Sequence, residues 1–197
     1  MGDVSQRPNN KLYREKVHNM PASKEELHTV EYIASLPENE HVELLDGVIY
    51  NLAVPSRIHQ KISFSIARII ADHIDRKSLP CEVYPAPFAV FLDEYNYFEP
   101  DISVICDRNR LSDRGCEGAP DWIIEIVSPS SASMDYLKKL NKYQATGVRL
   151  YWIVNPVTKT VSVYEFENDK SMQYSFSDPV PVSICDGFQI SVADALA

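Results

Sequence analysis

The sequence places a carboxylate in the middle of an apolar strand, and this is the feature best suited to chemistry. Glu125 interrupts the segment from Trp122 to Val127, whose other residues are all apolar, as in a strand buried on both faces. An unpaired carboxylate there is strongly destabilising. A second carboxylate, Asp101, begins the preceding strand directly after Pro100. Because neighbouring strands can bring two such side chains together, the pair predicts a site that needs a cation.

Several kinds of site use buried carboxylates. Hard oxygen ligands select Mg²⁺, Mn²⁺ or Ca²⁺ over zinc, so a divalent metal site is the first interpretation. The alternatives for Glu125 are an ion pair with a buried Arg or Lys, or a position on an exposed face of its strand. Paired carboxylates also serve glycosidases. A serine nucleophile is disfavoured, because Ser128 and Ser130 lack the Gly-x-Ser-x-Gly elbow.

The elements that must position these residues alternate between helices and strands, which predicts an α/β fold with a mixed, twisted sheet flanked by helices. Asp46-Gly47 between apolar runs predicts a hairpin over residues 42–54. Isoleucines at helical spacing predict an amphipathic helix over 57–76. The other predicted elements are a helix opened by a capping box at Ser23–Glu26 and closed by Pro37, strands over 83–92 and 98–106, a loop over 107–120, a helix over 133–146, and strands over 150–154 and 160–166.

A set of motifs in this order resembles the Uma2 family, endonucleases of the PD-(D/E)XK superfamily. The resemblance covers roughly residues 25 to 166. Its motifs are Glu43-Leu44-Leu45-Asp46-Gly47, His59, Pro100-Asp101, Glu125-Ile126-Val127-Ser128-Pro129-Ser130, Lys139-Leu140-Asn141-Lys142-Tyr143, Gly147-Val148 and Tyr151-Trp152-Ile153-Val154. The family implies a restriction-endonuclease-like fold, Mg²⁺ or Mn²⁺ as cofactor, and phosphodiester hydrolysis of nucleic acid, with DNA as the expected substrate.

The resemblance also implies roles for individual residues. Asp101 and Glu125 would bind the metal, and the Ile126 carbonyl would be a further ligand. The superfamily usually carries a Lys two residues after the second acid, where this chain has Val127. Lys139, on the following helix, is the candidate replacement.

Helix geometry bears on that candidate independently. Tyr136, Leu137, Leu140 and Tyr143 mark the buried side, with Lys139 at its border and Lys138 and Lys142 nearly opposite. A border lysine can extend its ammonium into a pocket. The alternative is an ordinary surface lysine.

The resemblance implies two further site residues, Glu43 and His59. Glu43 would complete the site, or else be an exposed glutamate of a hairpin strand. His59 lies in the first helical turn, where the helix dipole disfavours a charged imidazole. A neutral ring could hold phosphate or a metal-bound water, and the alternative is a helix-end histidine half in water.

Composition bounds the remaining possibilities. The net charge of −9 argues against a broad phosphate-binding surface, which would draw its affinity from Lys and Arg. Together with Val127 it favours a second hypothesis, a catalytically degenerate nuclease fold kept as a binding or assembly module. The chain has no apolar run long enough to span a bilayer and no signal-peptide core. Four scattered cysteines indicate reduced thiols in a cytoplasmic protein.

The 197 residues fit a flexible tail over 1–22 and one domain over 23–197. Exposed sheet edges can pair with another copy of the chain, so a homodimer is a further hypothesis.

Overall fold

The structure, a computed structural model, describes residues 27–37, 40–128, 135–185 and 187–197. In these ranges the helices are α1 Val30–Ala34, α2 Arg57–Lys77, α3 Asp135–Thr146 and α4 Val192–Leu196. The strands are β1 Val42–Leu45, β2 Val48–Asn51, β3 Glu82–Pro85, β4 Val90–Asp93, β5 Asn96–Phe98, β6 Ile102–Ile105, β7 Leu111–Ser112, β8 Gly115–Glu117, β9 Trp122–Ile126, β10 Leu150–Asn155, β11 Thr160–Glu165, β12 Lys170–Ser175, β13 Val180–Pro181 and β14 Gln189–Ile190.

The strands build two mixed six-stranded sheets and a short hairpin of β13 and β14. Sheet I has the order β2-β1-β5-β4-β8-β7, and sheet II has the order β12-β11-β10-β9-β6-β3. Each sheet contains one parallel pair, β4 with β8 and β9 with β10, and its other neighbours are antiparallel. The predicted α/β class with a mixed, twisted sheet is confirmed, and the chain adds a second sheet that periodicity did not reveal.

Helix α2 covers one face of sheet II. Ser56 caps its start, with the Ser56 Oγ accepting from the His59 amide at 3.3 Å, and Ser78 ends it in a left-handed conformation. The apolar stripe of α2, including Ile62, Ile66 and Ile70, packs on alternate residues of β6, β9 and β10 in the larger core cluster. The predicted helix over 57–76 is therefore confirmed.

The other face of sheet II meets sheet I and α3. A second core cluster joins Leu45 and Phe98 from sheet I, Ile123 and Tyr151 from sheet II, and Tyr143 from α3. Because side chains alternate along a strand, Ile123 and Glu125 share this face of β9. The face of sheet II that carries Glu125 is therefore enclosed by the second sheet and a helix.

Several predicted boundaries are corrected. The hairpin around Asp46-Gly47 is confirmed, with both residues at positive φ. The predicted strand over 83–92 is two strands in different sheets, β3 and β4, and that over 98–106 is divided in the same way between β5 and β6. The chain changes sheet at proline-containing segments that a periodicity argument reads through. The predicted loop over 107–120 contains the short strands β7 and β8.

The prediction of four reduced cysteines is wrong. Cys81 and Cys106 form a disulfide. The antiparallel register of β3 and β6 pairs Glu82 with Ile105, so the two cysteines lie directly opposite each other just beyond the ladder. Cysteine-spacing rules cannot detect such a pair, because the register that creates it is a tertiary feature. Cys116 and Cys185 are free thiols.

Some predictions lie outside the described residues. The tail over 1–22, the Ser23–Glu26 capping box and the first residues of the helix over 133–146 belong to this group. In the ranges that are described, no helix combines the length and apolar character needed to cross a membrane.

Candidate active site

Asp101 and Glu125 lie near each other at one end of the β6–β9 strand pair. The β6–β9 ladder ends where Ile102 pairs with Ile124; Asp101 directly precedes β6, and Glu125 directly follows Ile124 in β9. The two carboxylates are close enough for the charge of Asp101 to raise the pKa of Glu125. The Asp101 Oδ2 also accepts a hydrogen bond from the Ile126 amide at 2.7 Å. The two carboxylates that the sequence singled out are thus brought together.

Lys139 and Glu43 complete this group from the other side. The Lys139 Nζ lies 2.7 Å from the Glu43 Oε2 and 3.1 Å from the Glu125 Oε1. Lys139 is only 8% exposed and Glu43 only 4%. Both alternatives considered for them, a surface lysine and an exposed hairpin glutamate, are therefore wrong. Lys139 joins an acid of sheet I to an acid of sheet II.

The face of α3 that points inward differs from the predicted one. Leu137, expected on the buried side, is 68% exposed, whereas Lys139 and Tyr143 are buried. These two residues are one turn apart and lie on the same face of the helix. The inward face is therefore centred near Lys139. Two carboxylates there stabilise a buried ammonium, and helical periodicity alone does not include this interaction.

Tyr143 is a site residue that the sequence reasoning missed. Its hydroxyl donates to the Glu125 Oε1 at 2.9 Å. The sequence treated it as a packing residue, and its ring does pack on Phe98 and Tyr151. Its position four residues after Lys139 was the available signal, since a lysine and a tyrosine at this spacing can donate to one acceptor. Glu125 thus receives hydrogen bonds from two groups on one helix face.

His59 reaches Asp101 from the first turn of α2. The His59 Nε2 lies 3.1 Å from the Asp101 Oδ2, and its Nδ1 is buried without a hydrogen-bond partner among the described residues. Burial lowers the pKa of His59, but the hydrogen bond and charge of Asp101 outweigh it, so the net shift is upward. The contact with Asp101 therefore opposes the effect of the helix dipole on this ring.

Crowding of acids controls the electrostatics of the site. Burial, together with the charges of Asp101 and Glu43, raises the pKa of Glu125 to about 7, although Lys139 and the Tyr143 hydroxyl oppose this. Burial lowers the pKa of Lys139, but the charges of Glu125 and Glu43 outweigh it and hold the ammonium in its charged form. One ammonium therefore leaves excess negative charge among three carboxylates, which a cation would relieve.

The donor set fits a hard divalent cation held by few protein ligands. Among the described residues, no group of three or more His, Cys, Asp and Glu side chains has the arrangement of a metal cage. Mg²⁺ commonly binds through one or two carboxylates and completes its shell with water and substrate phosphate. Asp101 and Glu125, at one end of the β6–β9 pair, offer two such carboxylates, and the Glu125 side chain is 17% exposed. The position of the Ile126 carbonyl as a further ligand stays a prediction.

Two more lysines of α3 tie the helix to the β1–β2 hairpin. The Lys138 Nζ donates to the Tyr50 hydroxyl at 3.2 Å, and the Lys142 Nζ lies 2.5 Å from the Asp46 Oδ1. Lys138 is exposed as predicted, whereas Lys142 is half-buried. Together with the Lys139–Glu43 contact, three lysines fix this helix against one hairpin.

Comparisons with known proteins agree with this architecture. A crystal structure described as "a putative nuclease belonging to DUF820", from Anabaena variabilis, superposes with a TM-score of 0.72 at 23% identity, covering 85% of this chain and 97% of that one. Two proteins of Synechocystis, the "Uncharacterized protein slr1290" and the "Uncharacterized protein sll1609", are 27% identical over 147 residues and 24% identical over 135 residues. These alignments cover 72% and 66% of this chain and 76% and 75% of the relatives.

Residues 25–197 match the Uma2 family, which is described as "Putative restriction endonuclease". The match begins just before α1 and runs through all the residues of the site. The chain therefore belongs to the Uma2 family, as its motifs predicted.

Proposed function

We propose that this protein is a metal-dependent endonuclease that hydrolyses phosphodiester bonds of nucleic acid, with DNA as its substrate. The observation that carries the proposal is the proximity of the Asp101 and Glu125 carboxylates at the end of the β6–β9 pair, with the buried Lys139 ammonium in contact with Glu125. Two carboxylates and one ammonium in an enclosed site are the parts needed for metal-assisted attack of water on a phosphodiester. The nuclease family and fold support the same reaction class.

The roles of the residues follow from their contacts. Asp101 and Glu125 would hold the cation, which when bound supplies Lewis-acid charge at the scissile phosphate. Lys139 would orient the attacking water or stabilise the negative charge that develops on the phosphate. Glu43 keeps the Lys139 ammonium in place at 2.7 Å, and His59 and the Ile126 amide fix Asp101. Tyr143 orients Glu125 through its hydroxyl.

The position of Lys139 also weighs against a degenerate binding module. The burial of this ammonium is compensated by Glu43 and Glu125, so the ion pair with a buried lysine that the sequence allowed for Glu125 is present, and it holds the charge where the proposed reaction would need it. Val127 stands at the usual lysine position, yet Lys139 reaches the same acid from α3. A homodimer, which would bring two such sites to two strands, stays a prediction.

The test combines metal binding with cleavage. Calorimetric titration of Mg²⁺ and Mn²⁺ should give saturable binding to the wild type and none to Glu125→Gln or Asp101→Ala. The wild type should cleave plasmid and single-stranded circular DNA, and the two variants should not. Glu117→Gln, an exposed acid of β8, serves as the matched control and should bind and cleave like the wild type. Full cleavage by either site variant with an intact fold would show that the site is misassigned.

A further inference from the structure

A tyrosine and a lysine lie beside the buried Lys139–Glu43 ion pair. Tyr50 on the edge strand β2 pairs directly with Glu43 in the β1–β2 register, so the two side chains share a face of sheet I. Lys138 immediately precedes Lys139 and donates to the Tyr50 hydroxyl at 3.2 Å. Tyr50 is half-buried and Lys138 is exposed. This pair therefore connects the enclosed site to solvent.

Tyr50 packs partly against the second core cluster, and the Lys138 ammonium does not lie over its ring. The Lys138 Nζ is 5.6 Å from the Tyr50 ring centre but only 3.2 Å from its hydroxyl oxygen. These two distances place the ammonium beyond the hydroxyl, outside the ring edge, rather than above the π-face. The contact is thus a hydrogen bond that fixes the ammonium. A half-buried aromatic ring and a fixed positive charge therefore stand side by side.

The overall charge of the chain restricts which nucleic acid can use this arrangement. Binding to duplex DNA draws its affinity from many phosphate contacts, and the net charge is −9. A single strand needs fewer such contacts, because its unpaired bases also stack on aromatic side chains, at about 1–3 kcal/mol per base. One aromatic ring beside one lysine fits an unpaired nucleotide, whose base is free to leave its neighbours.

We propose that Tyr50 and Lys138 form a nucleotide-binding subsite that selects an unpaired strand, with a base stacked on the Tyr50 ring and the adjacent phosphate held by Lys138. This inference rests on the proposed nuclease function and specifies its substrate as single-stranded or locally opened DNA. Tyr50 and Lys138 are positioning residues, because they would hold the strand next to the reacting phosphate rather than act on it.

The test measures binding of a fluorescein-labelled oligonucleotide by anisotropy, as a single strand and as the same sequence annealed into a duplex. The protein carries Glu125→Gln so that the strands stay intact, and wild-type cleavage with Mg²⁺ is followed in parallel. The variants are Tyr50→Leu, Tyr50→Phe and Lys138→Gln. The matched controls are Tyr174→Leu and Lys170→Gln on β12, an edge strand of the other sheet, sheet II. Thermal unfolding verifies the fold of each variant.

Tyr50→Leu should weaken single-strand binding about tenfold, while Tyr50→Phe, which keeps the ring, stays within about twofold of the parent. Lys138→Gln should lower the slope of log affinity against log salt by about 0.7, the value for one phosphate contact on a single strand. In the wild-type background, Tyr50→Leu should raise KM and leave kcat within about twofold. A merely structural lysine would not change the salt slope.

The two proposals can fail separately. If the wild type cleaves DNA but binds the duplex at least as tightly as the single strand, the subsite is refuted and the nuclease stands. Equal losses in Tyr50→Leu and Tyr174→Leu would refute it in the same way. Single-strand binding that depends on Tyr50, without any cleavage, would support the subsite and overturn the nuclease. The absence of both binding and cleavage would overturn the two together.

Discussion

Glu125→Gln should make the metal-free protein more stable at pH 8, even though it removes a residue of the proposed active site. The amide keeps an oxygen at the position where Tyr143 and Lys139 donate, so the hydrogen bonds at 2.9 and 3.1 Å can persist. It removes a negative charge that burial and two neighbouring acids disfavour. The raised pKa is the net result after the attraction of Lys139, so the relief exceeds the lost ion pair.

The magnitude follows from proton linkage. The pKa of Glu125 is about 7 in the folded protein, against an ordinary value of 4.5. Between these values the folded state binds a proton that the unfolded state has lost, so the free energy of unfolding falls as the pH rises. Above pH 7 the raised pKa of Glu125 lowers the free energy of unfolding by about 3 kcal/mol, compared with a glutamate whose pKa is the same in both states. For a chain of this size it corresponds to a shift in Tm of about 9 °C.

Urea unfolding in EDTA, followed by the fluorescence of the buried Trp122 and Trp152, measures this effect. The wild type should lose stability between pH 5 and 8 more steeply than Glu125→Gln, and the exposed control Glu117→Gln should follow the wild type. Mg²⁺ should then stabilise the wild type and not Glu125→Gln, because only the native carboxylate binds it. A glutamine variant that is less stable at pH 8, with an unchanged pH slope, would refute the reasoning.

Two further predictions concern the scaffold. Ellman's reagent at pH 8 should modify the half-buried Cys185 in the native protein and spare Cys116, because burial raises the pKa of Cys116 to about 11 and leaves only about one thiol in a thousand ionised. Unfolding without reductant should expose two thiols and reduction four, whereas four without reductant would contradict the disulfide. Gly115→Ala should destabilise the fold by about 3 kcal/mol in urea unfolding, because a Cβ would lie 2.2 Å from the Ala89 carbonyl oxygen at a φ of +139°. Wild-type stability in this variant would contradict that clash.

The predictions from the sequence were accurate for the elements whose structure is decided by neighbouring residues. The Asp46-Gly47 hairpin and helix α2 follow from turn residues and periodicity, and both were placed within a few residues. Asp101 and Glu125 were expected close together from strand order alone, and both lie at the same end of the β6–β9 pair. A buried acid in an apolar strand is a strong signal, because it is unfavourable without a compensating partner.

The errors share one physical cause, which is that pairing between distant segments is not encoded locally. The division of strands between two sheets, and with it the Cys81–Cys106 disulfide, depends on which strands become neighbours. The inward face of α3 was misjudged because helical periodicity ranks Leu137 above Lys139, while two acids from different sheets reverse that order. The contact of His59 with Asp101, which opposes the effect of the helix dipole, could not be seen from the sequence for the same reason.

The proposed role of Lys139 should be transferable to position 127, which the family resemblance marks as the usual lysine position. Val127 lies two residues after Glu125, on the same side of an extended chain, and packs against the cluster that contains Tyr143. Lys139→Met should lower cleavage by at least about a hundredfold, since it removes the charge that would stabilise the phosphate in the proposed reaction. Val127→Lys in that background should restore part of the lost activity, and Lys170→Met on β12 in the wild-type background should leave cleavage within about twofold. Folded Val127→Lys/Lys139→Met protein without any recovery would mean that Glu43, which anchors only the helix-borne ammonium, is indispensable to the position of the charge.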